Sequence, residues 1–154
     1  MVVEVPQFTA RVPASVGQGG THMNVLLIED SRFFQRVIDK ELTQAGHHVV
    51  CVGNGDEGLK VARQSMPDVI LLDIMLPGLP GTSILGALKR NPITAKIPII
   101  ALSGMSQMNG EKLVRDGANV FISKSTLGSD AGQTTLLNAV QQVLPPAKST
   151  EQMD

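Results

Sequence analysis

Four short aliphatic runs in this chain each end in a residue that carries a charge or donates a hydrogen bond. The runs and the residues that follow them are Val25–Ile28 with Glu29 and Asp30, Val69–Leu72 with Asp73, Ile99–Leu102 with Ser103, and Val120–Ile122 with Ser123 and Lys124. Parallel strands are buried on both faces and therefore read as uninterrupted aliphatic runs. Because their carboxyl ends share one edge of the sheet, we expect three carboxylates, a hydroxyl and an ammonium group to meet there.

Strands and helices alternate from Met23 onward, which predicts an α/β fold. We predict strands at 24–29, 48–52, 68–73, 98–103 and 119–123. The first helix is expected to begin at an N-cap of Asp30 or Ser31 and to stop at Gly46, and the last to end at Pro145. The helices between them are predicted at 55–65, 81–90 and 106–116. Five such βα units imply a doubly wound, five-stranded parallel sheet with five helices.

The composition indicates one domain with tails. The chain has 154 residues, of which 42% are hydrophobic, and no Trp or Tyr, so a substantial core of aliphatic side chains is expected. We predict a flexible or vector-derived tail at 1–22, a folded domain at 23–146 and a C-terminal tail at 147–154. The net charge of -1 gives no reason to expect nucleic acid or an acidic membrane as a direct partner. No apolar run approaches the ~18 residues of a membrane span, and the single Cys51 cannot form an internal disulfide, so a cytoplasmic location is expected.

The carboxylates of Glu29, Asp30 and Asp73 would repel one another at such an edge. At ~4 Å and an effective dielectric near 20, each like-charged pair costs about 4 kcal/mol. Such a cluster must raise its pKa values or bind a cation, and oxygen ligands with open coordination positions suit Mg²⁺. Any one of these acids alone could simply cap a helix, but the set, with Ser103 and Lys124 beside it, favours a metal site.

Asp73 has a second chemical capacity, because a carboxylate can attack phosphorus and form an aspartyl phosphate. Lys124 would then neutralise one phosphoryl oxygen, and Ser103 would donate a hydrogen bond to another. A lysine or a serine at a strand end has no such meaning alone, so both interpretations depend on the constellation.

Four segments in this order resemble the CheY-like receiver domain of bacterial two-component response regulators. They are Glu29-Asp30, the segment DIMLPGLPG at 73–81, Ser103-Gly104, and the segment GANVFISK at 117–124. The resemblance covers about residues 24–144. It implies a flavodoxin-like sheet with the strand order 2-1-3-4-5.

The resemblance also implies roles for individual residues. Asp73 would be the phosphoacceptor, with Ser103, Lys124 and the aromatic switch residue Phe121 around the phosphoryl group. Mg²⁺ would be bound by Asp30, Asp73 and the backbone carbonyl of Met75, and by Glu29 directly or through water. Met75 and Met105 would flank the path of the hydrolytic water. Apart from the resemblance, Phe33 and Phe34 are expected to pack against the sheet or a neighbour rather than to take part in chemistry.

The implied function is that of a switch. The chain would accept a phosphoryl group from a histidine kinase or a phosphotransfer protein, and the added charge would change an output surface on helix 4, strand 5 and helix 5 that binds a downstream protein. It would speed its own Mg²⁺-dependent phosphorylation and dephosphorylation without being a metabolic enzyme. Whether it forms a homodimer is left open.

Two departures from the family pattern keep an alternative open. Ser125 follows Lys124 where the family usually has proline, in a segment, 125–132, that is several residues longer than usual, and Glu29 stands where Asp is commoner. The lysine loop could therefore be trans or looser, and a phosphorylation-independent interaction module remains the alternative. A phosphohydrolase is disfavoured because Met75 occupies the position of the usual second acid. A flavodoxin-like cofactor binder is disfavoured because no Gly-rich or hydroxyl-rich loop follows the first strand.

Overall fold

The four apolar runs and the segment His48–Val52 form the five parallel strands of one sheet, in the order β2-β1-β3-β4-β5. The computed structural model describes residues 22–104 and 108–143. The strands are β1 (Asn24–Ile28), β2 (His48–Val52), β3 (Val69–Asp73), β4 (Ile99–Ser103) and β5 (Val120–Ser123). The helices are α1 (Arg32–Gln44), α2 (Gly55–Ser65), α3 (Gly81–Arg90), α4 (Met108–Arg115) and α5 (Asp130–Gln142). The predicted fold class and strand order are therefore confirmed.

The helices cover both faces of the sheet, and each face has its own aliphatic core. One core joins alternate residues of the central strands, such as Leu26 and Ile70, to α2, α3 and Leu113 of α4. The other joins the residues that point the opposite way, such as Val25 and Leu71, to α1 and α5. Every residue of β1, β3 and β4 is buried, and apart from Asn24 at the start of β1 these strands are apolar up to their carboxyl ends.

The predicted element bounds agree with the structure to within one or two residues. Of the two N-caps considered for α1, the structure selects Ser31, whose side chain accepts a hydrogen bond from the Phe34 N–H. Gly46 follows α1 with a φ of +99°, a left-handed conformation that glycine adopts without a steric cost. The predicted tails (except for His22), the predicted start of the fourth helix at 106, the predicted helix end at Pro145 and the predicted domain end at 146 lie outside the described residues.

The sequence did not predict the turn between β5 and α5. Lys124–Thr126 forms a short 3-10 turn, and the Ser123 side chain caps it by accepting a hydrogen bond from the Ser125 N–H. No peptide bond among the described residues is cis, so the Lys124–Ser125 bond is trans, one of the two arrangements considered from the sequence. Within the same residues, none of the helices has the length and apolarity needed to span a bilayer.

Candidate functional site

The carboxyl ends of β1 and β3 bring three carboxylates together. Ile28 of β1 is the register partner of Leu72 of β3, so the residues that follow them, Glu29 and Asp73, reach the sheet edge side by side. Together with Asp30 they offer oxygen atoms that all lie within 4.8 Å of one another. Glu29 and Asp73 are almost fully buried, whereas Asp30 is exposed. The structure therefore brings together the three acids that the strand ends predicted.

Lys124 lies between the two buried carboxylates. Its Nζ atom is 2.9 Å from Glu29 Oε1 and 3.3 Å from Asp73 Oδ2. The side chain is only 12% exposed, and Nζ lies over the ring of Phe34, 4.4 Å from the ring centroid. One ammonium group thus bridges the strand-end acids of β1 and β3.

The orientation of Glu29 is set from its other side. Oε2 accepts a hydrogen bond of 2.9 Å from the Ser31 N–H, at the start of α1. Burial raises the pKa of the Glu29 carboxyl above its ordinary value; the ion pair with Lys124 and the Ser31 N–H oppose that rise, and the Asp73 charge adds to it. The carboxylate form of Glu29 therefore depends on nearby positive charge.

Asp73 is held by its own loop. Oδ1 accepts a hydrogen bond of 2.9 Å from the Met75 N–H, which leaves Oδ2 towards Lys124. The Met75 side chain is 58% exposed and extends from the rim of the site. Both oxygens of the Asp73 carboxylate are therefore held, one by the Met75 N–H and the other by Lys124.

The remaining predicted residues occupy the neighbouring strands. Ser103 is buried at the end of β4, where it is the register partner of Ser123, the residue before Lys124. Phe121 is half-buried, packs against the core and lines a cavity of about 540 Å³ together with Gly110, Glu111, Val114 and Arg115. Met105 lies outside the described residues.

Comparison with known proteins agrees with this geometry. Residues 25–136 match the family model of the response regulator receiver domain. This chain belongs to the response regulator receiver family. The chain is therefore a receiver domain of the two-component class.

Individual relatives cover the receiver domain to different extents. Protein PilH of Pseudomonas aeruginosa is 31% identical over 78% of this chain and 96% of its own length. Transcriptional regulatory protein AfsQ1 of Streptomyces coelicolor is 39% identical over 68% of this chain, which spans only 46% of AfsQ1. The high-resolution structure of the chemotaxis response regulator CheY4 of Vibrio cholerae superposes with a TM-score of 0.71 at 26% identity, over 80% of this chain and 100% of the other. The shared part is therefore the receiver domain itself.

The acidic cluster of this receiver domain fits a divalent cation. Three carboxylates and one ammonium group leave the cluster with two net negative charges. The atoms that it offers as metal ligands are all carboxylate oxygens. Mg²⁺ is typically held by one or two carboxylates and keeps several of its waters. The exposed Asp30 offers its oxygens freely, whereas one oxygen of Glu29 already faces Lys124.

Two contacts of this receiver domain were missed from the sequence. Phe34 lies over Lys124, and the Gln35 side-chain amide donates a hydrogen bond to the Glu29 backbone carbonyl. Phe34 packs against the core, whereas Phe33 is 63% exposed and contacts only the edge of the Phe34 ring among the aromatic contacts of the described residues. The sequence could have indicated the Phe34 contact only through the location of this residue, in the first turn of a helix that begins at the site.

Proposed function

We propose that this chain accepts a phosphoryl group on Asp73 in a Mg²⁺-dependent step and acts as a two-component switch. The observation that carries the proposal is the position of Lys124 Nζ, 2.9 Å from Glu29 and 3.3 Å from Asp73 beside the exposed Asp30. A lysine between two buried acids, at an edge with a third, assembles the groups that phosphoryl transfer to a carboxylate requires.

The chain's own residues would act by position and charge. The Asp73 carboxylate attacks the phosphorus atom, and the bond between phosphorus and the donor atom breaks as the new O–P bond forms. The Met75 N–H holds Oδ1 so that the carboxylate keeps its direction, and Lys124 neutralises one phosphoryl oxygen. Ser103 would donate a hydrogen bond to another oxygen. Bound Mg²⁺, held by Glu29, Asp30, Asp73 and the Met75 carbonyl, would supply further neutralisation of the phosphoryl charge.

The phosphoryl source and the output complete the proposal. A histidine kinase or a phosphotransfer protein would supply the group, and the added charge of about -1.5 to -2 would shift an existing equilibrium at α4, β5 and α5. Phe121 is suited to the switch role because it lies within β5, three residues before Lys124, and borders the cavity lined by residues of α4. A downstream protein would bind this surface.

The test compares two isosteric substitutions. Wild type, Asp73→Asn and Asp39→Asn are incubated with radiolabelled acetyl phosphate, with Mg²⁺ or with EDTA. Asp39 is an exposed carboxylate on α1 and controls for the loss of one negative charge. We expect labelling of wild type and Asp39→Asn in Mg²⁺, and no labelling of Asp73→Asn or of any sample in EDTA. Stoichiometric labelling of Asp73→Asn would contradict the assignment, and an unlabelled wild type would favour the phosphorylation-independent interaction module.

A further inference from the structure

Phe34 contacts the lysine of the site without belonging to the set of residues that phosphoryl transfer requires. Its ring centroid lies 4.4 Å from Lys124 Nζ, and its side chain also packs against the core between the sheet, α1 and α5. We propose that Phe34 is a positioning residue whose ring face holds the Lys124 ammonium group against Asp73. The inference rests on the proposed function for its effect on phosphorylation, but the contact itself can be tested separately.

The geometry of the ammonium group supports a role for the ring face. A lysine ammonium group has three N–H donors and no acceptor. Glu29 Oε1 and Asp73 Oδ2 lie within ion-pair distance of Nζ, and the ring of Phe34 covers it from another direction. Because the Lys124 side chain is only 12% exposed, water competes little with the ring for the remaining direction.

Phe34 is itself fixed by the residues that it helps to organise. The Glu29 carboxylate accepts the Ser31 N–H, and the Ser31 hydroxyl accepts the Phe34 N–H as the cap of α1. The Phe34 ring lies against the Lys124 ammonium group, which in turn forms an ion pair with the Glu29 carboxylate. This closed circuit of four residues joins the start of α1 to the end of β5, so a shift of the ring displaces the ammonium group.

Free lysine side chains have many rotamers, and holding one in place costs entropy. The ring reduces that freedom before the phosphoryl group arrives, which is preorganisation of a charge that the transition state needs. An aliphatic residue at position 34 would fill the space against the core but would lack the negative ring face that attracts a cation. The aromatic ring, rather than side-chain volume, is therefore the property to vary.

The chain offers a matched control in Phe33. It is the same residue type in the same helical turn, is 63% exposed, and meets the Phe34 ring in an edge contact at 5.1 Å. The variants are Phe34→Leu, Phe34→Tyr and Phe33→Leu, with Phe34→Leu also placed in a Lys124→Met background. Far-UV circular dichroism and urea unfolding establish that each variant folds.

The first readout is independent of phosphorylation. In the proton NMR spectrum, the ring current of Phe34 should shift the Lys124 ε-methylene signals upfield, with the Lys124→Met spectrum providing the assignment. We expect the shift to persist in Phe34→Tyr and Phe33→Leu and to vanish in Phe34→Leu. Unshifted signals in the wild type would overturn the contact, whatever the phosphorylation result.

The second readout is the rate of aspartyl phosphate formation from acetyl phosphate at saturating Mg²⁺. Phe34→Leu should lower this rate about three- to thirty-fold, the span expected of a partly desolvated cation–π contact. Phe34→Tyr and Phe33→Leu should stay near the wild-type rate, and Phe34→Leu should have no further effect once Lys124 is Met. The positioning role would be overturned if Phe34→Leu and Phe34→Tyr lowered the rate equally. It would also be overturned if Phe34→Leu lowered the rate by the same factor in the Lys124→Met protein as in the wild type. An unlabelled wild type with shifted lysine signals would instead reject the proposed function and leave the contact standing.

Discussion

Replacing Asp73 with asparagine should stabilise the metal-free protein, although it removes an ion pair. The change keeps the shape of the side chain, and the new amide oxygen can still accept the Met75 N–H that now reaches Oδ1. What disappears is a charge on a residue that is only 1% exposed. The outcome depends on whether that charge is balanced by its neighbours.

The distances in the site allow an estimate. With an effective dielectric of 20, the Lys124–Asp73 pair at 3.3 Å contributes about 5 kcal/mol of attraction. Repulsion from Glu29, within 4.8 Å, removes at least about 3.5 kcal/mol of that, and the exposed Asp30 removes roughly 1 kcal/mol more after solvent screening. The Coulomb contributions therefore nearly cancel, and the desolvation cost of the buried charge is left without compensation. We expect Asp73→Asn to raise the free energy of unfolding in EDTA by about 2 kcal/mol.

Mg²⁺ should reverse the comparison. At a concentration 100 times its Kd, a ligand that binds only the folded state stabilises it by about 2.7 kcal/mol. The wild type should gain such an increment, whereas Asp73→Asn, which lacks one metal ligand, should gain much less. The assay is urea unfolding followed by far-UV circular dichroism, because the chain has no Trp or Tyr for fluorescence.

The exposed Asp39→Asn substitution serves as the control and should change stability by less than about 0.5 kcal/mol in either buffer. The reasoning would be refuted if Asp73→Asn were no more stable than wild type in EDTA. It would equally be refuted if Mg²⁺ stabilised both proteins to the same extent, since the cluster would then not be the metal site.

Two further predictions concern the metal ligands and the lifetime of the phosphorylated state. Asp30→Ala should weaken Mg²⁺ binding by at least about tenfold, and by more than Glu29→Gln does, because Asp30 is exposed whereas Glu29 already pairs with Lys124. Calorimetric titration measures both affinities, and equal losses of affinity would contradict this ranking. Met75→Asn should release phosphate about tenfold faster than wild type, because an amide can orient water where the apolar Met75 cannot. A release rate that is unchanged in Met75→Asn but altered in Ser125→Pro would make the lysine loop the cause instead.

The meeting of the acids could be predicted because it follows from strand ends alone. Each aliphatic run stops where its strand stops, and parallel strands stop at one edge, so Glu29, Asp30 and Asp73 had to converge once the runs were recognised as strands. The N-cap of α1 could not be chosen in this way, because Asp30 and Ser31 are both good caps. The choice follows from the Glu29 side chain, which takes the Ser31 N–H and so fixes where the helix starts.

The contact between Phe34 and Lys124 could not be predicted for a different reason. It joins the first turn of α1 to the end of β5, two elements that are far apart in sequence and whose relative rotation is set by packing on the sheet. The 3-10 turn at Lys124–Thr126 could not be predicted either. It depends on the Ser123 hydroxyl, which caps the turn, and not on a periodic pattern of hydrophobic residues. Sequence patterns report which face of an element is buried, and they do not report how two such faces are turned towards each other.

The position of Lys124 directly after the last strand has a consequence for how the domain folds. A domain folds as a unit, and the three acids receive their internal counter-ion from the strand that is last in the chain. Any partly folded state in which β5 is not yet paired with β4 would therefore carry three negative charges at one sheet edge without that counter-ion. Closing the sheet with β5 neutralises part of that charge, so the completion of folding and the assembly of the lysine-bridged site are a single event.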